Sequence, residues 1–244
     1  MTVALSAGCG APAKAGRAHS PTVAAVPAGL PQATTFAALK DAGLWTAQAP
    51  SEEGMVVHPP SAAVVYSGPN GSPVAVLPAT ELGAPTWVPV VQTRPGWYRV
   101  LLPSRPNHAA GWLRAPGLRT AHTPYTVTVR LSRQTLTLTD GDREVGTWPV
   151  AIGGRTTPTP AGLTFVMAQI APADPEPSPL ILPLGVHSPT LDSFGGGPGT
   201  VALHGWPDSS VFGKAVTHGC VRVPSAALRE LAKVPLGTPV LITR

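Results

Sequence analysis

Two histidines and a cysteine lie close together near the C-terminal end of the 244-residue chain, in the segment VALHGWPDSSVFGKAVTHGCVRVP (residues 201–224). A thiol attacks a carbonyl carbon as a thiolate, and a neighbouring imidazole favours that form by accepting the proton. His204 and His218 are both candidates for this role beside Cys220. Gly219 lets the backbone approach a carbonyl, so the N–H groups of Gly219 and Cys220 are candidate oxyanion donors. The segment predicts nucleophilic acyl transfer at Cys220.

The same residues have other interpretations. A cysteine considered alone is most often a small buried apolar residue. His204, His218 and Cys220 also offer three ligands for a catalytic zinc ion with one open position. However, His218 and Cys220 are two residues apart and no paired Cys or His spacing accompanies them, so we expect no metal. A papain-like enzyme is disfavoured because its cysteine precedes its histidine.

The residues around this segment have the pattern of a β-sheet. From Tyr125 the runs YTVTVRL and QTLTLTD alternate polar and apolar residues, and Asp140-Gly141 is a strong hairpin signal between strands. REVGTWPVAIGG and GLTFVMAQI continue the pattern. The Pro-rich stretch at residues 171–183 is compatible with neither a helix nor a central strand, and we expect a lid or a substrate-binding loop there.

A second β-rich region precedes this one. Between residues 56 and 120 five short runs, AAVVY, PVAVL, TWVPVVQ, GWYRVLL and GWLRA, are separated by Gly and Pro and predict a small barrel or curled sheet. The pieces VVYSGP, GWYRVLLPSRP and GWLRAP resemble bacterial SH3-like domains. We expect Trp97 and Trp112 to supply core area rather than a ligand groove. Two roles stay open for this domain: it binds peptidoglycan, or it is a spacer that positions the neighbouring domain.

The N-terminal residues have the composition of a tether. Residues 1–9 read MTVALSAGC, and LSAGC resembles the lipobox of lipoproteins, which predicts lipid on Cys9. The basic n-region and long apolar stretch of a complete signal are missing, so an ordinary tail is the alternative. Residues 10–55 form an Ala/Pro-rich linker. Within it, residues 34–45 place Phe36, Leu39 and Leu44 roughly on one helical face, which predicts a short helix.

Composition excludes several classes of function. The 17 basic residues are scattered, without a basic run or an interleaved aromatic stripe, so nucleic-acid binding is not expected. Two cysteines build no disulfide framework. No apolar run reaches the 18 or more residues of a membrane span. We therefore expect membrane association only through a lipid anchor, and a location in the cell envelope outside the cytoplasmic membrane.

Five blocks of the C-terminal region together carry a family resemblance: VRLSRQTLTL, PVAIGGRTTPTPAGLTF, ALHG, FGKAVTHGCVRV and LGTPVLI. Residues 123–244 resemble the YkuD-type L,D-transpeptidase domain. Twelve residues separate His204 from Thr217, one of the spacings that this family uses. The expected fold is mostly β, with a small SH3-like β-barrel followed by a β-rich L,D-transpeptidase sandwich that contains one or two short helices.

The resemblance implies roles for the residues of the motif. It makes Cys220 the nucleophile and His204 the general base, with the Gly205 carbonyl orienting the ring. His218 supports the site and competes with His204 for the assignment as base. Gly219, whose N–H is a candidate oxyanion donor, is the fifth residue predicted to be catalytic.

Four further residues are expected on the substrate side. Thr217 occupies the Ser/Thr position of the signature. Arg222 occupies the Arg/Asn position, where it either meets a substrate carboxylate or pairs internally. Trp206 follows His-Gly where a small polar residue is common, which predicts a bulkier subsite. His187 precedes the Gly-rich stretch SFGGGPG and is expected to face the cleft, or else to belong to a lid or the structural frame.

The implied activity is formation of 3→3 cross-links between peptidoglycan stem peptides through a thioester on Cys220, without a cofactor. Carbapenem-type β-lactams are expected to acylate the same sulfur. The alternatives are an L,D-carboxypeptidase, in which water is the acceptor, and an enzyme that attaches a protein to peptidoglycan. An alternative of another class is a noncatalytic wall-binding protein.

Overall fold

The computed structural model describes residues 27–47 and 54–244. The predicted lipobox with Cys9 and half of the predicted linker, residues 10–26 and 48–53, lie outside the described residues. Among the described residues, no helix has both the length and the apolar character needed to cross a membrane.

The N-terminal region is built almost entirely from one antiparallel sheet. Its strands are β1 (Gly43–Leu44), β2 (Met55–His58), β3 (Ala63–Tyr66), β4 (Pro73–Leu77), β5 (Thr80–Glu81), β6 (Ala84–Pro85), β7 (Val88–Arg94), β8 (Trp97–Leu101), β9 (Ala109–Arg114) and β10 (Arg119–His122). Eight of them form one sheet in the order β10-β2-β7-β8-β9-β3-β4, with β1 added on β9, while β5 and β6 pair separately. All five runs predicted as strands are strands.

The helix predicted at residues 34–45 is wrong. This stretch forms turns, isolated bridges and strand β1. Of the three apolar residues on the supposed helical face only Leu39 is buried, while Phe36 and Leu44 are exposed. The Leu39 N–H donates to the Arg105 carbonyl at 2.7 Å. A helix this short is marginal in water, so pairing of its backbone with the neighbouring sheet region decides the conformation.

The C-terminal region contains two larger sheets that pack together, a short two-stranded sheet and one α-helix. Its elements are β11 (Tyr125–Arg130), β12 (Thr135–Asp140), β13 (Arg143–Pro149), β14 (Ile152–Gly153), β15 (Gly162–Phe165), β16 (Ile181–His187), β17 (Thr200–Gly205), a 3₁₀ turn (Ser209–Val211), β18 (Ala215–Thr217), β19 (Val221–Val223), α1 (Ser225–Leu231) and β20 (Pro239–Thr243). A five-stranded sheet has the order β13-β12-β11-β20-β15, a three-stranded sheet the order β16-β17-β19, and β14 pairs with β18. Apolar residues of both sheets and of α1 form one core. The mostly β fold class is confirmed.

Two local predictions have clear outcomes. β12 and β13 form the predicted hairpin, with Gly141 at its turn in the left-handed region (φ 57°). The Pro-rich stretch remains irregular only as far as residue 180, because Pro183 lies inside β16 and pairs with Ala202. β16 is an edge strand of its sheet, a position at which proline is tolerated.

The two regions are joined along β15 and the residues that follow it, because side chains of this segment belong to the cores of both. Leu163, Phe165 and Met167 belong to the core of the N-terminal region. Val166 belongs to the core of the C-terminal region. Because side chains of an extended chain alternate between faces, one segment contributes to both cores and joins the regions.

The two tryptophans of the N-terminal region are core residues, as predicted: Trp97 and Trp112 are 6% and 7% exposed. Trp97 also lines a cleft of about 480 Å³ together with Tyr66 and Arg114. The Arg114 guanidinium carbon lies 4.7 Å from the centre of the Trp97 ring.

Candidate active site

Parallel pairing of β17 with β19 brings the distant halves of the motif together. His204 pairs with Arg222, and Leu203 pairs with Val221. Leu203 and Val221 are fully buried on the core side. Since alternate residues of a strand point to opposite faces, His204 and Arg222 lie on the other face, and Cys220 precedes Val221 at the start of β19. Sheet register therefore places the thiol beside the imidazole-bearing strand.

Cys220 remains partly exposed at this position. Burial raises the pKa of its thiol, while a hydrogen bond with the Ala202 backbone and the positive charge of Arg222 act in the opposite direction. The net effect is upward, so the thiol is protonated in the resting site. Attack on a carbonyl therefore requires a base that removes the proton.

His204 has the properties of that base. Its Nδ1 donates to the Gly205 carbonyl oxygen at 2.8 Å. A carbonyl only accepts hydrogen bonds, so Nδ1 carries the proton and Nε2 of the neutral ring is an acceptor. Burial lowers the pKa of His204, the Gly205 hydrogen bond raises it, and the charge of Arg222 lowers it. The net downward shift keeps the ring neutral.

Gly205 is itself held by a residue that the sequence did not single out. Its N–H donates to Ser178 Oγ at 2.7 Å, and that hydroxyl donates to the Leu180 carbonyl at 2.6 Å. A Cβ on Gly205 would meet Ser178 Oγ and the Leu228 side chain at 3.1 Å each. A side chain at position 205 would have to displace these neighbours by a few tenths of an ångström, and buried Ser178 holds the backbone of the glycine whose carbonyl orients His204.

The turn that carries the nucleophile is organised by Thr217, which is 3% exposed. Its hydroxyl donates to the Cys220 carbonyl at 2.6 Å and accepts from the Gly219 N–H at 3.1 Å. Thr217 therefore shapes the turn from inside, and its place among the substrate-binding residues stays a prediction. The Gly219 N–H is occupied by Thr217, so the Cys220 N–H is the candidate oxyanion donor that remains.

Gly219 is needed for its backbone conformation. Its φ of +117° lies in a region that residues with a side chain rarely adopt, whereas the nearest atoms to a Cβ there would be at ordinary contact distances. The Gly219 carbonyl accepts from Thr159 Oγ1 at 2.8 Å, and that hydroxyl accepts from the Gly153 N–H at 2.8 Å. Buried Thr159 is a second supporting residue that sequence patterns did not reveal, because its role depends on a turn 60 residues away in the chain.

His218 lies on the outer side of the turn. Its side chain is exposed, and its ring stacks on Phe194 with centroids 5.2 Å apart and an interplanar angle of 29°. Phe194 is 53% exposed and belongs to the Gly-rich stretch. The two histidines therefore have different environments, with His204 half-buried in a strand and His218 in contact with a surface loop.

Arg222 and Trp206 form a stacked pair beside His204. The Arg222 guanidinium carbon lies 3.5 Å from the centre of the Trp206 ring, and the Trp206 and His204 ring centres are 6.1 Å apart. Burial lowers the pKa of Arg222, and Cys220 opposes that shift. Arg222 is therefore close enough to influence both the thiol and the imidazole electrostatically.

His187 is not in this site. It is fully buried, and its Nε2 donates to the Thr35 carbonyl at 2.7 Å in the N-terminal region. Burial lowers its pKa. This position fits the alternative expectation of a structural residue better than that of a residue facing the substrate cleft. Its position in the sequence next to a Gly-rich loop gave no signal of this distant partner.

The described residues contain no group of three or more His, Cys, Asp and Glu side chains arranged to hold a metal ion. The short motif thus presents a thiol, a neutral imidazole and a nearby guanidinium around one turn. This set suits acyl transfer through a covalent thioester.

Comparisons with known proteins agree with this chemistry. The YkuD family, described as the L,D-transpeptidase catalytic domain, matches residues 124–242. A Bacillus licheniformis protein named "Putative L,D-transpeptidase YkuD" is 37% identical over 153 residues, which cover 59% of this chain and 86% of that protein. A Bacillus subtilis protein of the same name is 33% identical over 152 residues, or 59% and 85% of the two chains.

A solved L,D-transpeptidase from Mycobacterium smegmatis superimposes with a TM-score of 0.42 and 15% identity over 64% of this chain and 99% of that one. The identity and coverage of the Bacillus relatives decide the assignment. The chain belongs to the YkuD family of L,D-transpeptidase catalytic domains and is an enzyme of the transpeptidase, or acyltransferase, class.

Proposed function

We propose that this protein cross-links peptidoglycan stem peptides in the 3→3 manner through a thioester on Cys220. One observation carries the proposal: the Gly205 carbonyl holds the proton of His204 on Nδ1. Nε2 is thereby left as a base on β17, the strand that pairs with β19 directly after Cys220. The relatives named above support the reaction class.

The resting pair is a neutral thiol and a neutral imidazole. Burial raises the pKa of Cys220 and lowers the pKa of His204, so both shifts oppose a preformed thiolate–imidazolium pair. The proton moves from sulfur to His204 Nε2 as the sulfur attacks. The nucleophile is thus formed only when a carbonyl is in place.

In the first step the Cys220 sulfur attacks the carbonyl carbon that joins the L-centre of the third stem residue to the terminal D-alanine. The C–N bond breaks, the proton on His204 moves to the departing amine, and D-alanine leaves. In the second step the amine of another stem attacks the thioester and gives its proton to His204. The C–S bond breaks, the new amide forms, and the proton returns to the thiol.

The oxyanion of each tetrahedral intermediate is stabilised by the Cys220 N–H, since the Gly219 N–H is directed to Thr217. Arg222 and Trp206 border the donor stem on the His204 side, and the guanidinium attracts a substrate carboxylate.

Product analysis tests this function. The protein is incubated with a muropeptide that bears a tetrapeptide stem, and the products are identified by mass. A 3→3 dimer supports the proposal. A tripeptide alone would assign the protein as an L,D-carboxypeptidase, and transfer to an added protein amine would assign it as an attachment enzyme. Absence of any product from the parent protein would leave a noncatalytic wall-binding role, and identical products from Cys220→Ala and the parent protein would exclude Cys220 as the nucleophile.

The same sulfur is expected to react with carbapenem-type β-lactams. Intact-mass measurement after incubation with such a compound should show one adduct on the parent protein and none on Cys220→Ala. An adduct on the variant would place the reaction elsewhere.

We further propose that the N-terminal region is an SH3-like domain and that Cys9 bears lipid, which anchors the enzyme in the cell envelope outside the cytoplasmic membrane. The many-stranded antiparallel sheet supports the first part, and the LSAGC sequence supports the second. Mass spectrometry of the native N-terminus tests the anchor, because an unmodified Met1 or Cys9 would exclude it.

A further inference from the structure

The loop between β16 and β17, residues 188–199, approaches the catalytic turn. Its tip is a tight turn in which Phe194 and Gly197 exchange two backbone hydrogen bonds of 3.0 Å. Gly195 and Gly196 between them have φ values of 57° and 80°, which suit glycine. The Phe194 ring at this tip is 53% exposed and stacks on His218. The tip thus presents an apolar surface beside His218, which lies two positions before the nucleophile in the sequence.

The base of this loop is held by the N-terminal region through Arg105. Its Nη1 donates to the Ser188 carbonyl at 3.2 Å, and its Nη2 donates to the carbonyls of Leu191 and Pro198 at 3.0 Å each. One planar guanidinium therefore ties both arms of the loop together. A lysine ammonium lacks the fork geometry needed to reproduce this pattern.

Further contacts fix the strands on either side of the loop to the same region. Asn107 Nδ2 donates to the His187 carbonyl at 2.8 Å and Asn107 Oδ1 accepts from the His187 N–H at 2.9 Å. The hydroxyls of Thr35 and Thr200 are 2.6 Å apart. The end of β16 and the start of β17 are thus anchored to the N-terminal region, which leaves the exposed tip to extend from a fixed base.

We propose that Arg105 is a positioning residue for the active site and that Phe194 forms a wall of the stem-peptide cleft. This inference rests on the proposed function. The N-terminal region holds the loop base, the loop places Phe194 against His218, and the exposed ring packs on aliphatic parts of the stem peptide. The N-terminal region is thereby part of the substrate site as well as a neighbour of the catalytic domain.

The role of Phe194 as a wall of the stem-peptide cleft is tested by steady-state kinetics. The full chain is assayed with tetrapeptide muropeptides. Phe194→Ala should raise KM roughly tenfold with little change in kcat, the size expected for one aromatic contact. Phe194→Trp should restore KM to within about twofold, since it keeps an aromatic face. An unchanged KM in Phe194→Ala would overturn the proposed wall.

Steady-state kinetics also test whether Arg105 positions Phe194. Arg105→Gln should raise KM about as much as Phe194→Ala, with Arg105→Lys intermediate, and the double variant should be no worse than Phe194→Ala alone because both changes remove one interaction. Arg94→Gln is the matched control, because Arg94 is an exposed arginine of the same region. The one hydrogen bond that the structure describes for its side chain is donated to the carbonyl of the neighbouring Thr93. Additive effects of Arg105→Gln and Phe194→Ala would assign Arg105 a purely structural role and overturn the positioning role.

NMR provides a readout that does not depend on activity. The ring protons of His218, assigned by their loss in His218→Gln, should be shifted upfield by the stacked Phe194 ring. Phe194→Ala and Arg105→Gln should both move them downfield, and Arg94→Gln should not. Unmoved His218 signals in Arg105→Gln would overturn the positioning role even if its activity fell. Absence of any dimer from the parent protein would instead defeat the proposed function, while the NMR result would still decide the link from Arg105 to His218.

Discussion

The catalytic turn has two sides that are built differently. On the strand side, His204 lies in β17, its ring is fixed by the Gly205 carbonyl, and Arg222 on β19 stacks on Trp206. On the loop side, His218 is exposed and touches Phe194, whose loop is held at its base by hydrogen bonds from another region. Backbone ladders and buried hydroxyls fix the first side, whereas the second depends on side-chain contacts at the surface.

This difference separates two tasks within one site. Proton transfer needs a base with a defined tautomer and a matched pKa, which a half-buried strand residue provides. Substrate recognition tolerates a mobile and exposed surface, because it needs contact area rather than a fixed protonation state. We therefore expect changes on the strand side to lower kcat and changes on the loop side to raise KM.

Removing the sulfur that lies between the two sides should have the largest effect. Cys220→Ala should abolish both dimer formation and release of D-alanine, because the variant lacks the thiol that forms the acyl-enzyme. Muropeptide analysis by mass checks this, and unchanged thermal unfolding is the control for folding. Residual release of D-alanine at the parent rate would contradict the covalent mechanism.

Exchange of each histidine compares the sides directly. His204→Gln should lower kcat about 100- to 10,000-fold, the range for loss of a general base, whereas His218→Gln should cost less than about tenfold. Steady-state kinetics of the two variants under one set of conditions measures the contrast. A larger loss in His218→Gln would move the base to the loop side.

Thr217 and Thr190 test how firmly each side is built. Thr217→Val should destabilise the fold by about 1–3 kcal/mol and disturb Cys220, because two buried hydrogen-bonding partners lose their hydroxyl. Thr190→Val, on the exposed loop, should change stability by less than about 0.5 kcal/mol. Urea unfolding of both variants gives the comparison, and equal losses would show that the nucleophile turn does not depend on Thr217.

The pH profile gives the smallest expected effect. His204 must be neutral to accept the thiol proton, so the acid limb of kcat/KM should fall at a pH below the ordinary histidine range. Arg222→Gln removes a charge that lowers the pKa of His204, and the acid limb should therefore move to higher pH. Substitution of the loop residue Phe194 should leave the limb in place. A limb that does not move in Arg222→Gln would show that Arg222 and His204 are not electrostatically coupled.

Much of this architecture follows from local sequence patterns. Short β-type runs separated by Gly and Pro predicted strands of the N-terminal region, alternation of polar and apolar residues predicted strands of the C-terminal region, and Asp140-Gly141 predicted the hairpin. The motif around Cys220 and its resemblance to a known family indicated the chemistry before the fold was considered. The helix at residues 34–45 failed because its weak periodicity lost to hydrogen bonds with a segment near Arg105.

The sequence by itself determined the strands, the turns and the residue types that perform chemistry, because these depend on neighbours within a few positions along the chain. Only the tertiary structure decided that Ser178 and Thr159 support the motif, that His187 is a buried frame residue, and that Arg105 reaches the loop of Phe194. The residues in these contacts are far apart in the sequence. The register of the sheets and the packing of the two regions bring them together. No local pattern in the sequence specifies such long-range pairs.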